Sequence, residues 1–287
     1  MWPSNESKPL NPRISASTFL AMLAFAGNSI LCRIALLHTA IDPASFTTIR
    51  MLAGAVTLYF IAHRNHLPVM KSGSWRSALV LFIYAGGFSF AYKILPTATG
   101  ALLLFGSVQS VMIAYGIWQG ERFHPIQSAG LSIAMIGLIV LLLPGLTMPT
   151  IKGGLLMLAA GIGWAIYTLR GKYAGDALSV TTGNFIRVVP ITLCLSLLNL
   201  EAFSYDHIGI IYAILSGALT SGVGYAIWYS VLPHLKTSHA AAIQPSVPVL
   251  ATAGGVLILH ESLPLNLLFA TILIIGGIAL VMKKKSI

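Results

Sequence analysis

The chain has 287 residues, of which 56% are hydrophobic and only 8% charged, and its mean hydropathy is +0.85. Soluble domains carry about a quarter charged residues, so this composition excludes an ordinary soluble protein and makes lipid the solvent. The net charge of +10 is scattered through short segments rather than gathered in one domain, which argues against nucleic acid as a partner.

A helical crossing needs about 20 apolar residues. Runs of that kind lie at residues 16–37, 44–62, 76–94, 97–118, 125–143, 152–170, 179–199, 208–232, 237–258 and 264–282. They predict an all-α membrane protein of ten transmembrane helices, with short tails at 1–15 and 283–287. Span 1 carries Asn28 and Arg33, span 2 follows Pro43 and carries Arg50, and span 3 ends at Leu95-Pro96. Span 4 carries Gln109 and runs into the polar elbow Gly120-Glu121-Arg122-Phe123-His124-Pro125 before span 5. A turn at 144–151 then leads to the second half, where span 6 ends at Arg170, span 7 carries Arg187 and span 9 carries Gln244, Pro245 and Pro248.

The order of features recurs. Sliding the sequence by 137 lays Arg33 on Arg170, Arg50 on Arg187 and Leu95-Pro96 on Leu232-Pro233; after three extra residues the offset becomes 140 and lays Glu121 on Glu261 and Gly137 on Gly277. Residues 16–143 and 152–282 are therefore two repeats of five spans. Five is odd, so the second copy enters the membrane from the opposite face, and the halves are inverted repeats. Secondary transporters recurrently use that architecture, with the substrate site near the midplane where the halves meet.

Twelve Lys and Arg outside the spans fall on one side and only Lys93 and Lys152 on the other, so the positive-inside rule puts both termini in the cytoplasm. Ala24-Phe25-Ala26 imitates a signal-peptide cleavage site, but the apolar run continues to Leu37 and cleavage would spoil the charge parity. Cys32 and Cys194 both lie in spans and read as small buried packing residues.

Pro43 followed by Arg50, the elbow Gly120-Glu121-Arg122, the run Gly130 to Gly145 and the echoes Trp164 to Arg170, Arg187 and His260-Glu261-Ser262-Leu263 resemble the EamA-type, ten-span branch of the drug/metabolite transporter superfamily. The first half departs from the family pattern at Val108, where a proline is usual, while its counterpart Pro248 is present. The resemblance implies an inner-membrane exporter of amino acids, similar metabolites or toxic compounds, lined chiefly by spans 1, 3, 4, 6, 8 and 9. Drugs or nucleotide-linked metabolites are the alternative cargo, and a membrane enzyme or scaffold is the alternative class. No cofactor or metal is expected, and the partners are a small-molecule substrate and the bilayer.

All seven acidic residues and all eight histidines fall in tails, loops or span ends. That weighs against a midplane carboxylate relay, a metal cluster or an intramembrane enzyme. Candidate substrate-binding residues are polar or aromatic within spans. Tyr225 and Trp228 share a helical face with Tyr229, and Trp164 shares one with Tyr167. Tyr84, Phe88 and Tyr92 recur at spacing four beside Lys93. Each set either stacks substrate or packs the bundle, with Tyr229 suited to an interfacial belt and Lys93 to either a carboxylate or snorkelling. The amides Asn28, Gln109 and Gln244 need partners in hydrocarbon and bind either substrate or a neighbouring helix. Arg33, Arg50 and Arg187 snorkel, pair, or meet an anionic substrate. The inverted arrangement places Glu261 with Arg33 and Arg50, and Glu121 with Arg170 and Arg187, so either the two glutamates form cross-repeat charge pairs that lock each mouth or they cap helix starts.

Overall fold

The helix starts are written into short local signals. Asp42 precedes Pro43, and its carboxylate accepts hydrogen bonds from the Ala44 and Ser45 amides at 2.9 Å each. Asp176 accepts from the Ser179 amide at 2.7 Å and Asp206 from the Gly209 amide at 2.8 Å, while the Ser74 hydroxyl accepts from Ser77. Each cap satisfies amides that the first helical turn leaves unpaired. Three of the chain's few carboxylates are thus spent as caps at span ends.

The computed structural model describes residues 12–69, 72–95, 97–121, 124–142, 150–172, 174–204, 206–259 and 265–282. The helices are α1 (Pro12–His38), α2 (Pro43–Arg64), α3 (Trp75–Ile94), α4 (Thr97–Trp118), α5 (Pro125–Leu142), α6 (Ile151–Lys172), α7 (Ala177–Leu198), α8 (His207–Leu215), α9 (Gly224–Val231), α10 (Thr237–Ile243), α11 (Ser246–Leu259) and α12 (Leu265–Met282). Among the described residues six helical stretches are long and apolar enough to cross a membrane: α1, α2, α3, α6, α7 and the composite His207–His234.

Eight of the ten anticipated runs emerge as single helices, and two do not. The eighth run is α8, a π-helical segment Ser216–Val223, α9 and a 3-10 turn Leu232–His234 in series. Its glycines explain the widened segment: Gly217 lies against the Arg50 carbonyl and the Ala53 methyl, where a side chain has no room. The ninth run breaks between α10 and α11, at Gln244-Pro245, because Pro245 lacks the amide that would continue the ladder. Gly120 turns the chain after α4 with φ +82°, a left-handed conformation open to glycine.

Packing joins the halves throughout. α5 lies along α12 with Gly130 against the Gly277 carbonyl, a close approach that small residues permit. α2 crosses α7, where the Thr48 hydroxyl donates to the Thr192 carbonyl at 2.8 Å. α3 and α4 pack on α6, and α1 packs in the same way on α8, α9 and α11. Cys32 is buried, but Cys194 is exposed, so the expectation of two buried cysteines fails for the second. Lipid is as apolar as the interior, so hydrophobicity alone does not say which way a span residue turns. Glu261 and the turn residues 143–149 lie outside the described residues.

Candidate functional site

The largest buried side chains collect where α1, α3, α6, α7 and α9 converge. Tyr92, Phe88 and Tyr84 run down one face of α3, with ring centroids 4.6 Å and 5.6 Å apart. Tyr84 then meets Trp164 of α6 at 5.0 Å, and Trp164 meets Tyr225 of α9 at 5.0 Å. Tyr167 continues the cluster to Tyr229 at 5.4 Å, and Phe25 of α1 touches Trp164, Tyr225 and Trp228 edge-on. The aromatic candidates of spans 3, 6 and 8 therefore belong to one cluster built from both halves. Trp228 and Tyr225 are 0% and 1% exposed. Tyr229 is buried in this cluster too and is not a residue of an interfacial belt.

Two amides bind the cluster to broken helices. The Trp164 indole N–H donates to the Gln244 Oε1 at 2.6 Å, and the Gln244 amide donates to the Ala240 carbonyl at 3.2 Å and lies 3.1 Å from the Met112 sulfur. Gln244 sits at the break before Pro245, so it fixes the bent helix to α6. Asn28 does the same for the π-helical segment: its Oδ1 accepts from the Ser216 hydroxyl at 2.7 Å, the Thr220 hydroxyl at 3.4 Å and the Arg50 Nη1 at 3.5 Å. Gln109 is buried, and among the described residues neither its amide nitrogen nor its amide oxygen finds a hydrogen-bond partner.

Arg50 is fully buried, about 10 Å along α2 from Pro43 at 1.5 Å per residue. Its guanidinium carbon lies 5.7 Å from the ring centres of both Tyr84 and Phe88. Burying an arginine at a helix centre costs about 2.5–3.5 kcal/mol on insertion scales, and desolvated cation–π contacts return about 2 kcal/mol. Among the described residues its Nε and Nη2 have no hydrogen-bond partner.

The other charges sit toward the ends of the bundle. The Arg170 Nε donates to the Ser77 hydroxyl at 2.8 Å, and the Arg187 Nη1 donates to the Ser72 and Gly183 carbonyls at 2.6 and 2.8 Å. Both arginines reach from the second half to the start of α3, but to neutral oxygens. Glu121 meets neither: its carboxylate accepts from the Thr237 and Ser238 amides at 3.0 and 3.2 Å, capping α10. The charge pair with Arg170 or Arg187 is therefore corrected to a cross-half helix cap, because free amides at a helix start satisfy a carboxylate as an arginine would. Burial raises the Glu121 carboxyl, but those amides, the Ser238 hydroxyl and the Lys172 ammonium outweigh it and hold the group below its ordinary range. Lys172 itself donates to the Thr237 hydroxyl at 2.8 Å. Arg33 is half-buried near the other end of α1, and its expected partner Glu261 is outside the described residues. Lys93 is exposed in the last turn of α3 and stands apart from the cluster.

Sequence reasoning missed Phe25, Phe185, Ser216 and Thr220. Phe25 stands three residues before Asn28, and Ser216 and Thr220 are four apart in a glycine-rich stretch, spacings that mark a shared helical face. Phe185, 5.3 Å from Tyr225, carries no such local mark.

The chain has relatives. A model of the EamA-like transporter family matches residues 151–283. The chain is 48% identical to an uncharacterised protein of Pseudomonas aeruginosa (strain PAO1), over 92% of this chain and 93% of that one. It is 26% identical to the threonine/homoserine exporter RhtA of Escherichia coli (strain K12), over 93% and 91% of the two chains. A solved crystal structure of a protein 18% identical in sequence superposes with a TM-score of 0.81 over 96% of this chain and 99% of that one, which establishes a shared fold. Likeness that runs from one end of the chain to the other, over helices of membrane-crossing length, leaves one assignment: the chain is a multi-pass membrane transporter that belongs to the EamA-like transporter family, in the drug/metabolite transporter superfamily.

Proposed function

We propose that this protein is a secondary transporter of the bacterial inner membrane that exports amino acids or similar small metabolites by alternating access. In this reading ten spans form two inverted repeats, residues 16–143 and 152–282, with both termini in the cytoplasm. The packing supports the symmetry: α1 against α8 and α9 mirrors α6 against α3, α4 against α6 mirrors α11 against α1, and α2–α7 and α5–α12 pair with their own counterparts. An odd number of spans in each half makes the relation an inversion.

The observation that carries the proposal is the buried seam itself, where Tyr84 of the first half meets Trp164 of the second at 5.0 Å and Asn28 of the first accepts from Ser216 of the second at 2.7 Å, beside the helix break at Gln244-Pro245. Broken helices at membrane depth are tolerated where they line a cavity or are buried in protein. Asn28, Tyr84, Tyr92, Gln109, Trp164, Tyr167, Tyr225, Trp228 and Gln244 are the residues proposed to contact substrate as the halves rock. Amino acids come first because a relative of similar length is named as a threonine/homoserine exporter.

Counterflow of a broad labelled metabolite panel in proteoliposomes tests this directly. Amino acids are expected to exchange, and Trp228→Ala and Gln244→Ala to slow exchange while each variant still elutes as a single species. Unchanged transport in both variants would remove the site assignment, and a panel without any transported member would remove the transport reading.

A further inference from the structure

The transporter reading says where substrate passes and leaves open which chemical group is recognised. Arg50 is the fully buried cation of the seam, and no carboxylate among the described residues pairs with it. Its single hydrogen bond is long, 3.5 Å from Nη1 to Asn28, and that Asn28 oxygen is already taken by the Ser216 hydroxyl at 2.7 Å. The remaining donors, Nε and Nη2, form one edge of the planar guanidinium; both are buried, no acceptor among the described residues lies within hydrogen-bond distance of them, and the Tyr84 hydroxyl is the polar group beside the guanidinium. That edge presents two parallel N–H groups, the fork that matches a carboxylate in bidentate fashion.

We infer that the Nε/Nη2 edge of Arg50 binds the carboxylate of the transported substrate, an assignment that rests on the transport reading above. A single buried guanidinium balances one negative charge, so a monocarboxylate fits where a phosphate dianion would leave charge unpaired in a dry interior. Asn28 positions the guanidinium from the far side, through Nη1, and the Ser216 hydroxyl holds Asn28, while the Thr220 hydroxyl donates to the Ser216 carbonyl at 2.7 Å. The body of the ligand then lies along the aromatic cluster that begins at Tyr84 and Phe88, beside the guanidinium, and reaches Trp164. With no acidic side chain there among the described residues, the ammonium of an amino acid is received by ring faces rather than by an ion pair. The site thus selects molecules that carry one carboxylate with an apolar or cationic remainder, and rejects diamines and neutral amides.

The test begins with unmodified protein in proteoliposomes, so it does not depend on a variant folding. Proteinogenic amino acids, short monocarboxylates and putrescine are screened for counterflow, and each transported acid is then competed by itself and by its carboxamide. The acid is expected to compete about tenfold better than the amide or more, since a site built around a hydrogen-bonded group rejects analogues lacking it. Arg50→Lys keeps the charge without the fork and is expected to raise KM for the acid about tenfold, and Arg50→Gln to make acid and amide equivalent. Transport in which the amide competes as well as its acid, or transport of putrescine alone, overturns the inference and leaves the transporter reading standing. Failure of the entire panel removes both.

Discussion

Arg50 and Arg187 lie 137 residues apart, Arg50 in α2 and Arg187 in α7. Their surroundings are opposite. Arg187 is half-buried, and its Nη1 is anchored on the Ser72 and Gly183 carbonyls at 2.6 and 2.8 Å. Arg50 is fully buried, with a long contact to Asn28 and an edge of two donors left open. The difference comes from what each arginine's helix packs against. Beside α7 lies the loop before α3, where Gly73, at φ +79°, lets the backbone come so near Asn184 that a Cβ would fall 2.8 Å from its amide nitrogen. That approach brings the Ser72 carbonyl to Arg187, which joins the Gly183 carbonyl of its own helix. Beside α2 lies the π-helical segment, whose hydroxyls go to Asn28 instead of to the guanidinium. The sequence therefore puts a charge within a helix, while the segments packed against that helix decide whether the charge is satisfied.

The sharpest way to break the comparison is to neutralise each arginine in turn. Arg50→Gln is expected to reduce transport affinity about tenfold or more, the loss of one bidentate charge-assisted contact. Arg187→Gln is expected to lower stability by about 1.5–3 kcal/mol, the range for hydrogen bonds to charged groups, with KM for the transported solute unchanged. Thermal unfolding in detergent and counterflow kinetics on the same preparations separate the two, and equal effects of both on KM would erase the distinction.

A second test acts on the wall beside Arg50. Gly217→Ala places a methyl against the Arg50 carbonyl and Ala53 and is expected to destabilise by about 1–3 kcal/mol, as overpacked cores do. Gly276, whose Cβ would meet no atom within 4 Å, provides the control: Gly276→Ala should stay within about 0.5 kcal/mol of the unmodified protein. Matching unfolding temperatures for the two variants would show that the close approach of α2 to the π-helical segment is not maintained.

The smallest effect concerns Glu121. Its carboxyl is held below the ordinary value of 4.5, so the cap on α10 is fully formed above that pH and is lost as pH falls through the lowered value. A half-exposed cap contributes at most about 1 kcal/mol, so protection of the Ser238 amide from hydrogen exchange should fall roughly fivefold across that window. Glu121→Gln should show the reduced protection at every pH, and protection in the unmodified protein that matches that of Glu121→Gln at neutral pH would rule out the cap.

Much of the site was legible one helix at a time. Tyr225 and Trp228 on one face, Trp164 and Tyr167 on another, and the amides Asn28 and Gln244 inside apolar runs were readable from spacing, because helical geometry places residues three and four apart together. Their meeting was not readable. The bond from Trp164 to Gln244 spans 80 residues and that from Ser216 to Asn28 spans 188, and no local rule reaches so far. For Glu121 the sequence offers a charge pair or a cap on a helix start and cannot choose between them; only the packing brings the free amides of Thr237 and Ser238 to its carboxylate. Lys93, beside the aromatic face of α3 in sequence, turns outward instead.

The sequence by itself determined the solvent, the helices and most of their ends, since apolar runs, prolines and capping carboxylates act within a few residues of where they stand. Tertiary structure alone decided which polar groups are satisfied and which are left open, as the contrast of Arg50 with Arg187 and of Cys32 with Cys194 demonstrates. The physical reason is that a membrane helix meets apolar surroundings on every side, so its hydrophobicity carries little record of inside and outside. Only contacts between distant segments, made by packing small residues and pairing buried polar atoms, select the face that turns inward.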